Sequence, residues 1–480
     1  MLKLLFGLFF LYLFVKYIIG EQRFKRLKSP ITLPGLCHYQ YLQQLFYSNL
    51  HSGQAWQNLC DEFGSFFHIK FMNKHFYVIS DPVIIEEIFN TKSQFFANHN
   101  HDLMQPLSNA IGPNNLVSLE GSKWRYHRSV LNPIFATNRN LNLFCETILE
   151  NTTTVLMYPL SVLTSSHPIS LDIMPLFQEL IFNIIGPTFL SYKFDFGDGS
   201  NPMTQSIGTI MQHVVDMMLF PLSNKLYPIC HPQKYYRFSK ARQVFRQICD
   251  KLIQDKLTKI NQTKEANEYK DIIDLMMEGR LSIDEIRDEI ILFIFGALET
   301  TNTSLGWFMY WIAKHPEIQL KVQRELDNAK KLEYETLFEL TYLDFAIKES
   351  ARITPAATYI SKGSPVKEII KLGEYDIAPN SVIFIPTYTL HHDKKYWVEP
   401  EKFNPDRWLN NRAIKNTYLP FGGGPRICLG KRFVEMEMMI ILGKLLKEYT
   451  FRIDESRPMV QQNQTTIGPK SLCLIVNKRV

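Results

Sequence analysis

Ser282-Ile-Asp-Glu285 is a capping box, in which a serine and the glutamate three residues on satisfy each other's unpaired backbone N–H groups. The helix it opens can run to about Lys314, where His315-Pro316 stops it. That is roughly 32 residues, or about 48 Å at 1.5 Å per residue. Residues 290–298 are apolar on every face, and a helix apolar all round passes through a core. The composition supports a body built around it. Of 480 residues, 45% are hydrophobic and 21% charged, which excludes a disordered chain. The 22 glycines and 25 prolines exclude collagen-like and low-complexity chains, and 34 Phe with 22 Tyr point to a large aromatic core or a large apolar cavity. A net charge of +6 is too small at this length to argue for nucleic-acid binding. Seven irregularly spaced cysteines exclude a disulfide scaffold and suggest a reducing compartment.

Length alone suggests about three domains, yet no internal repeat or second composition class divides the chain. Residues 4–15 are an unbroken apolar run, and residues 2–20 reach the roughly 17–25 residues a membrane-spanning helix needs. The rival reading is a cleaved secretory signal, but bulky Tyr17, Ile18 and Ile19 stand where small residues would be cleaved. Arg23, Lys25, Arg26 and Lys28 follow, and such a cluster keeps its side of the membrane cytoplasmic. The expected organisation is therefore a transmembrane anchor (1–20), a basic, proline-stiffened linker (21–35) and a cytosolic body (36–480). Within the body, residues 66–71 and 75–80 read as a hairpin, and Asp81-Pro82 as a helix start. Residues 121–135, several segments of 141–257, 316–329, 341–353 and 431–447 read as helices, 261–270 as a loop, and 382–385 and 472–476 as strands. The fold class is mainly α with a minor β region.

Phe421-Gly-Gly-Gly-Pro-Arg-Ile-Cys428-Leu-Gly430 is the most informative stretch. Cys428 stands just before a helix N-terminus, where the helix dipole and free N–H groups favour a thiolate. Such a thiolate is a good axial ligand for haem iron. A lone cysteine is more often a small buried hydrophobe, and a glycine-rich loop before a helix could hold phosphate. Arg432 stands where a P-loop needs Ser or Thr, and no C-x-x-C-H offers covalent haem attachment. The segment resembles F-x-x-G-x-R-x-C-x-G, the haem loop of the cytochromes P450, at every fixed position. The resemblance implies Cys428 as the proximal iron ligand, Phe421 near its sulfur, Gly430 closing the loop and Arg426 pairing with a haem propionate.

Further segments match the family in order. Trp124-Arg-Tyr-His-Arg128 is similar to its W-x-x-x-R helix, whose two side chains donate to a propionate. Gly296-Ala-Leu-Glu299-Thr300-Thr301 is similar to [AG]-G-x-[DE]-T-[TS], with Ala297 replacing the usual second glycine. There the family reading gives Glu299 and Thr300 the handling of protons for dioxygen. Glu349 and Arg352 share a helix face at i, i+3. With Arg407 of Phe403-Asn-Pro-Asp-Arg407-Trp408 they match the family's structural Glu-Arg-Arg triad. His391-His392-Asp393 lacks the further ligands a zinc site needs. The resemblance covers roughly residues 30–480 and makes the body one domain of the microsomal type, with a weaker likeness to the fatty-acid ω-hydroxylases. It implies haem b and a monooxygenase acting on a lipophilic substrate. Electrons would come from NADPH through NADPH-cytochrome P450 reductase, a separate flavoprotein, with cytochrome b5 as a further donor. The setting would be the endoplasmic reticulum membrane. A haem-thiolate isomerase or dehydratase, and a non-catalytic haem-binding protein, stay open as alternatives. By the family layout, substrate choice would rest on residues 98–119, 182–230, Phe295, Leu298, 356–359 and 465–467. Lys123, Arg125, Lys431 and Arg432 would offer a basic docking face.

Overall fold

The computed structural model describes residues 31–32, 52–71, 74–99, 101–165, 167–194, 202–218, 226–262, 270–329, 332–409, 413–463 and 466–479. The anchor and most of the linker lie outside the described residues. Among the described residues, no helix is long and apolar enough to cross a membrane. The chain forms two compact units. A sheet unit draws on the chain up to Met104, on Thr358–Pro400 and on Ala413–Ile427. A helical unit draws on Gln105–Ala357, Glu401–Arg412 and Cys428–Val480.

In the sheet unit, Phe66–Phe71 and Lys74–Ile79 form the expected hairpin, with Phe66 opposite Ile79 and Phe71 opposite Lys74. Val382–Ile385 runs parallel to the second strand and Ile360–Gly363 antiparallel to Val382–Ile385. All four residues of Val382–Ile385 are buried, as a central strand covered on both faces requires. Its alternate side chains serve two cores. Ile383 and Ile385 pack with Tyr77, Ile79 and Leu390, whereas Val382 and Phe384 pack with Trp56, Phe67 and Val78. Asp81 caps the next helix by accepting from the Val83 N–H at 2.8 Å. Ile31–Thr32, assigned to the linker by composition, instead pairs parallel with Phe67 and His68.

Four helices of the helical unit carry the candidate site. In chain order they are α1 (Gly121–Ala136), α2 (Ile283–Lys314), α3 (Thr341–Ile353) and α4 (Lys431–Glu448). The capping box of α2 forms as expected. The Ser282 Oγ accepts from the Glu285 N–H at 3.3 Å, and the Glu285 carboxylate from the Ser282 N–H at 2.8 Å. Ile290, Ile291, Ile294, Phe295 and Leu298 are buried in the unit's single large core. Two expectations shift. The segment read as helices alone includes a strand, Ile169–Asp172, which pairs antiparallel with Cys473–Lys478. Residues 261 and 262, expected in a loop, end the helix Pro232–Gln262, and residues 263–269 of that expected loop lie outside the described residues.

Candidate functional site

In the middle of α2, among buried and half-buried neighbours, Gly296 and Thr300 are exposed. A Cβ built on Gly296 would meet nothing within 4 Å, so the helix faces an opening there. Thr300 Oγ1 donates to the Gly296 carbonyl at 2.6 Å and Ser304 Oγ to the Thr300 carbonyl at 2.8 Å. These are the back-bonds to the residue four earlier by which Thr and Ser bend helices. Glu299 points elsewhere on α2. Its Oε1 accepts from the Thr466 N–H at 3.1 Å and from the Thr466 hydroxyl at 2.9 Å. Phe295 and Leu298, expected to shape a substrate pocket, lie in the buried core. They are 2% and 3% exposed, and Phe295 packs edge-on against Phe245.

Gly430 is the N-cap of α4, and Cys428 is exposed just before it. Desolvation raises the Cys428 pKa, against the opposing pull of the Gly430 N–H and the Arg128 guanidinium. Arg128 lies half-buried on α1 beside buried Trp124. Its own pKa is lowered by burial, and Cys428 opposes that shift. W-x-x-x-R and the cysteine loop therefore meet electrostatically. Arg432, expected on a docking face, is exposed. It donates to the Ala136 carbonyl at 2.6 Å, Asn138 Oδ1 at 2.8 Å and the Tyr334 hydroxyl at 3.3 Å.

The triad assembles as its spacing implies. Arg352 grips Glu349 with two prongs, Nε to Oε2 and Nη2 to Oε1, each 2.9 Å. Arg407 Nε reaches Oε1 at 2.8 Å. The Asn404 N–H at 3.0 Å and the Trp408 indole N–H at 3.1 Å complete the shell.

In the sheet unit, Phe421 and Arg426 are half-buried. Gly424 has φ +67°, and a Cβ there would stand 2.9 Å from the Phe89 carbonyl oxygen, so the loop needs glycine on both counts. Arg426 Nε donates to the Ala97 carbonyl at 2.8 Å. Burial and the Arg426 charge push Lys362 down to about 7. Burial, Lys362 and Arg426 together push His99 down to about 3. No acidic side chain contributes to either shift. His391 Nε2 accepts from the Leu419 N–H at 2.8 Å, and among the described residues no group of three or more His, Cys, Asp or Glu side chains could hold a metal ion.

The family profile described as Cytochrome P450 matches residues 31–476. The chain belongs to the cytochrome P450 family. Among its relatives is cytochrome P450 CYP13A7 of Caenorhabditis elegans, 29% identical over 448 residues, 84% of this chain and 85% of that one. Cytochrome P450 3A56 of Fundulus heteroclitus is 27% identical over 419 residues, 82% and 81% of the two chains. Cytochrome P450 3A2 of Rattus norvegicus is 28% identical over 359 residues, 69% and 68%. None of these names speaks to the ω-hydroxylase likeness. Membership makes the chain an oxidoreductase of the monooxygenase kind and implies a haem, a redox partner and a small-molecule substrate.

The residues present fit a P450 haem. The helical unit offers an exposed thiol at Cys428 and open space beside both Gly296 and Gly430. The sheet unit offers the half-buried Arg426 guanidinium, which suits a carboxylate-bearing ligand. Sequence reasoning gave no role to Lys362 or Trp408, and placed His99 and Thr466 only within segments expected to govern substrate choice. For Trp408 a signal existed, since it closes the F-x-P-x-R segment. The other three carry no local pattern.

Proposed function

We propose that this chain is a haem b-dependent monooxygenase inserting one atom of O2 into a lipophilic substrate. Electrons come from NADPH through a separate flavoprotein, NADPH-cytochrome P450 reductase, with cytochrome b5 as a further donor. The overall balance is RH + O2 + 2e⁻ + 2H⁺ → ROH + H2O. The observation that carries the reading is the opening on α2, where Gly296 and Thr300 are exposed and Glu299 adjoins them in sequence.

Haem, when bound, supplies the redox-active iron at which dioxygen is activated. Cys428 would ligate its iron, and the Gly430 N–H donates to the cysteine sulfur. By the family resemblance Trp124, Arg128 and Arg426 would hold its propionates and Phe421 would pack near the sulfur. Glu349, Arg352 and Arg407 fix the backbone at Lys402 and Asn404. Glu299 and Thr300 hold and pass the two protons the balance requires. An isomerase working on a peroxide would need neither this pair nor a reductase. The apolar run at residues 2–20, followed by its basic cluster, supports anchoring in the endoplasmic reticulum membrane with the body in the cytosol.

The test is spectral and then kinetic. The reduced, CO-bound protein is expected to show the red-shifted Soret band of a thiolate-ligated haem, and Cys428→His to lose it. Thr300→Ala is expected to keep the band while yielding less product and more hydrogen peroxide per NADPH. A histidine-type CO spectrum in the wild type would refute the reading. Conversion of a peroxide substrate without O2 consumption would favour the isomerase.

A further inference from the structure

Glu299 and Thr303 stand four residues apart on α2 and share a helix face. Thr466, from a segment more than 160 positions later, is wedged between them. Its Oγ1 is 2.9 Å from Glu299 Oε1 and 3.1 Å from Thr303 Oγ1, and its backbone N–H adds a 3.1 Å bond to the same carboxylate oxygen. Thr303 and Thr466 are 3% and 4% exposed. The next two residues press the same backbone onto α2. The Ile467 carbonyl accepts from the Trp307 indole at 2.7 Å. A Cβ at Gly468 would stand 2.8 Å from the Thr303 side chain, so only glycine allows this approach.

The hydrogens can be assigned from chemistry. An ionised carboxylate only accepts, so the Thr466 hydroxyl donates to Glu299 and in turn accepts from Thr303. A carboxylate held by two donors from one residue loses its freedom to rotate. We propose that Thr466 is a positioning residue for proton transfer, clamping Glu299 Oε1 so that the carboxylate keeps one orientation on α2. This rests on the monooxygenase reading and extends it to a residue outside the acid–threonine motif. Misplacing a proton-transferring group by about 1 Å is enough to cost much of its effect.

The test uses cumene hydroperoxide on the haem-loaded full chain, which avoids any need to know the substrate. When the O–O bond breaks heterolytically, two electrons come from the bound haem. The proton first carried by the hydroperoxide moves to the departing oxygen, giving cumyl alcohol. When that proton is late, the bond breaks homolytically, and the cumyloxyl radical loses a methyl radical to give acetophenone. Thr466→Val is near-isosteric and removes the hydroxyl. It is expected to lower the alcohol-to-acetophenone ratio roughly three- to tenfold, a modest part of the ~10²–10⁴ a positioned proton donor contributes. Thr466→Ser is expected to restore the ratio. In a Glu299→Gln background, Thr466→Val is expected to add nothing, because the clamp acts only through Glu299. If the valine variant fails to take up haem, Thr466→Ala carries the same expectation. An unchanged ratio, or an equal loss in both backgrounds, overturns the positioning role. Absence of the thiolate CO band in the wild type would instead strike at the monooxygenase reading itself.

Discussion

Glu349 is the sharpest place to perturb the fold, because its one negative charge is shared by two guanidinium groups. The Glu349 and Arg352 side chains are both 0% exposed, whereas that of Arg407 is 10% exposed. Glu349→Gln keeps the volume and one acceptor oxygen but strands Arg352 as a buried cation. Breaking a buried pair from one side costs about 3–5 kcal/mol, a large fraction of the roughly 5–15 kcal/mol that holds a domain together. Arg407→Ala is milder. Glu349 keeps both prongs of Arg352, the Trp408 indole and the Asn404 N–H. The loss is then one charge-assisted bond, about 1.5–3 kcal/mol. Urea titration of the haem-free chain would separate the two. With a slope of ~3 kcal/mol per molar, Glu349→Gln should lower the midpoint by about 1 M or more, and Arg407→Ala by about half to one. Adding Arg352→Met to Glu349→Gln should cost little more, since it removes the stranded cation. Equal losses for Glu349→Gln and Arg407→Ala, or a double variant that sums its parts, would refute the charge-balance argument.

Glu437 on α4 is fully buried and pushed up to about 8 by desolvation, with Thr301 opposing the shift. Its folded pKa is above the ordinary 4.5, so its contribution is present below that value and lost as pH rises towards 8. Glu437→Gln should therefore be more stable than wild type by about 3 kcal/mol at pH 7. Thermal midpoints should show that gap shrinking towards pH 5, and a gap independent of pH would contradict the burial argument. For the membrane anchor, deleting residues 1–20 is expected to release much of the protein from alkaline-washed membranes. Recovery of a cleaved, secreted form would overturn the cytosolic topology.

What the sequence made legible is what local chemistry encodes. Ser282, Glu285 and His315-Pro316 bounded α2 because caps and breakers act over three or four residues. Glu349 and Arg352 could be paired from helical spacing alone, and Arg407 joined them through its own motif. What stayed hidden depends on distant backbone meeting. Thr466 lies in a turn with no periodicity, and only the docking of its segment onto α2 gives it Glu299 and Thr303. Lys362 sits in a strand of alternating polar character and reads as solvent-facing until the sheet buries it.

The polar groups of α2 are arranged around its apolar stretch, and that arrangement bears on what the opening can accept. A helix meets its own backbone hydrogen bonds, so each buried polar side chain on it needs a partner elsewhere. Asp288 accepts from the Asn114 N–H and amide at 3.1 Å each and from Arg246 at 2.9 Å. Glu289 meets His127 of α1 at 2.7 Å, and Glu299 is taken by Thr466. These ties bind α2 to different elements, so rolling or sliding the helix would break several charge-assisted bonds at once. Between Glu289 and Glu299 the helix is apolar, and Gly296 opens its side there. A lipophilic molecule entering at that point displaces water from apolar surface, which favours binding. The polar chemistry it meets begins at Thr300, whose hydroxyl is held by the Gly296 carbonyl. That bond must be released or shared before the hydroxyl can serve a proton elsewhere, and the exposed face of α2 leaves it room to turn.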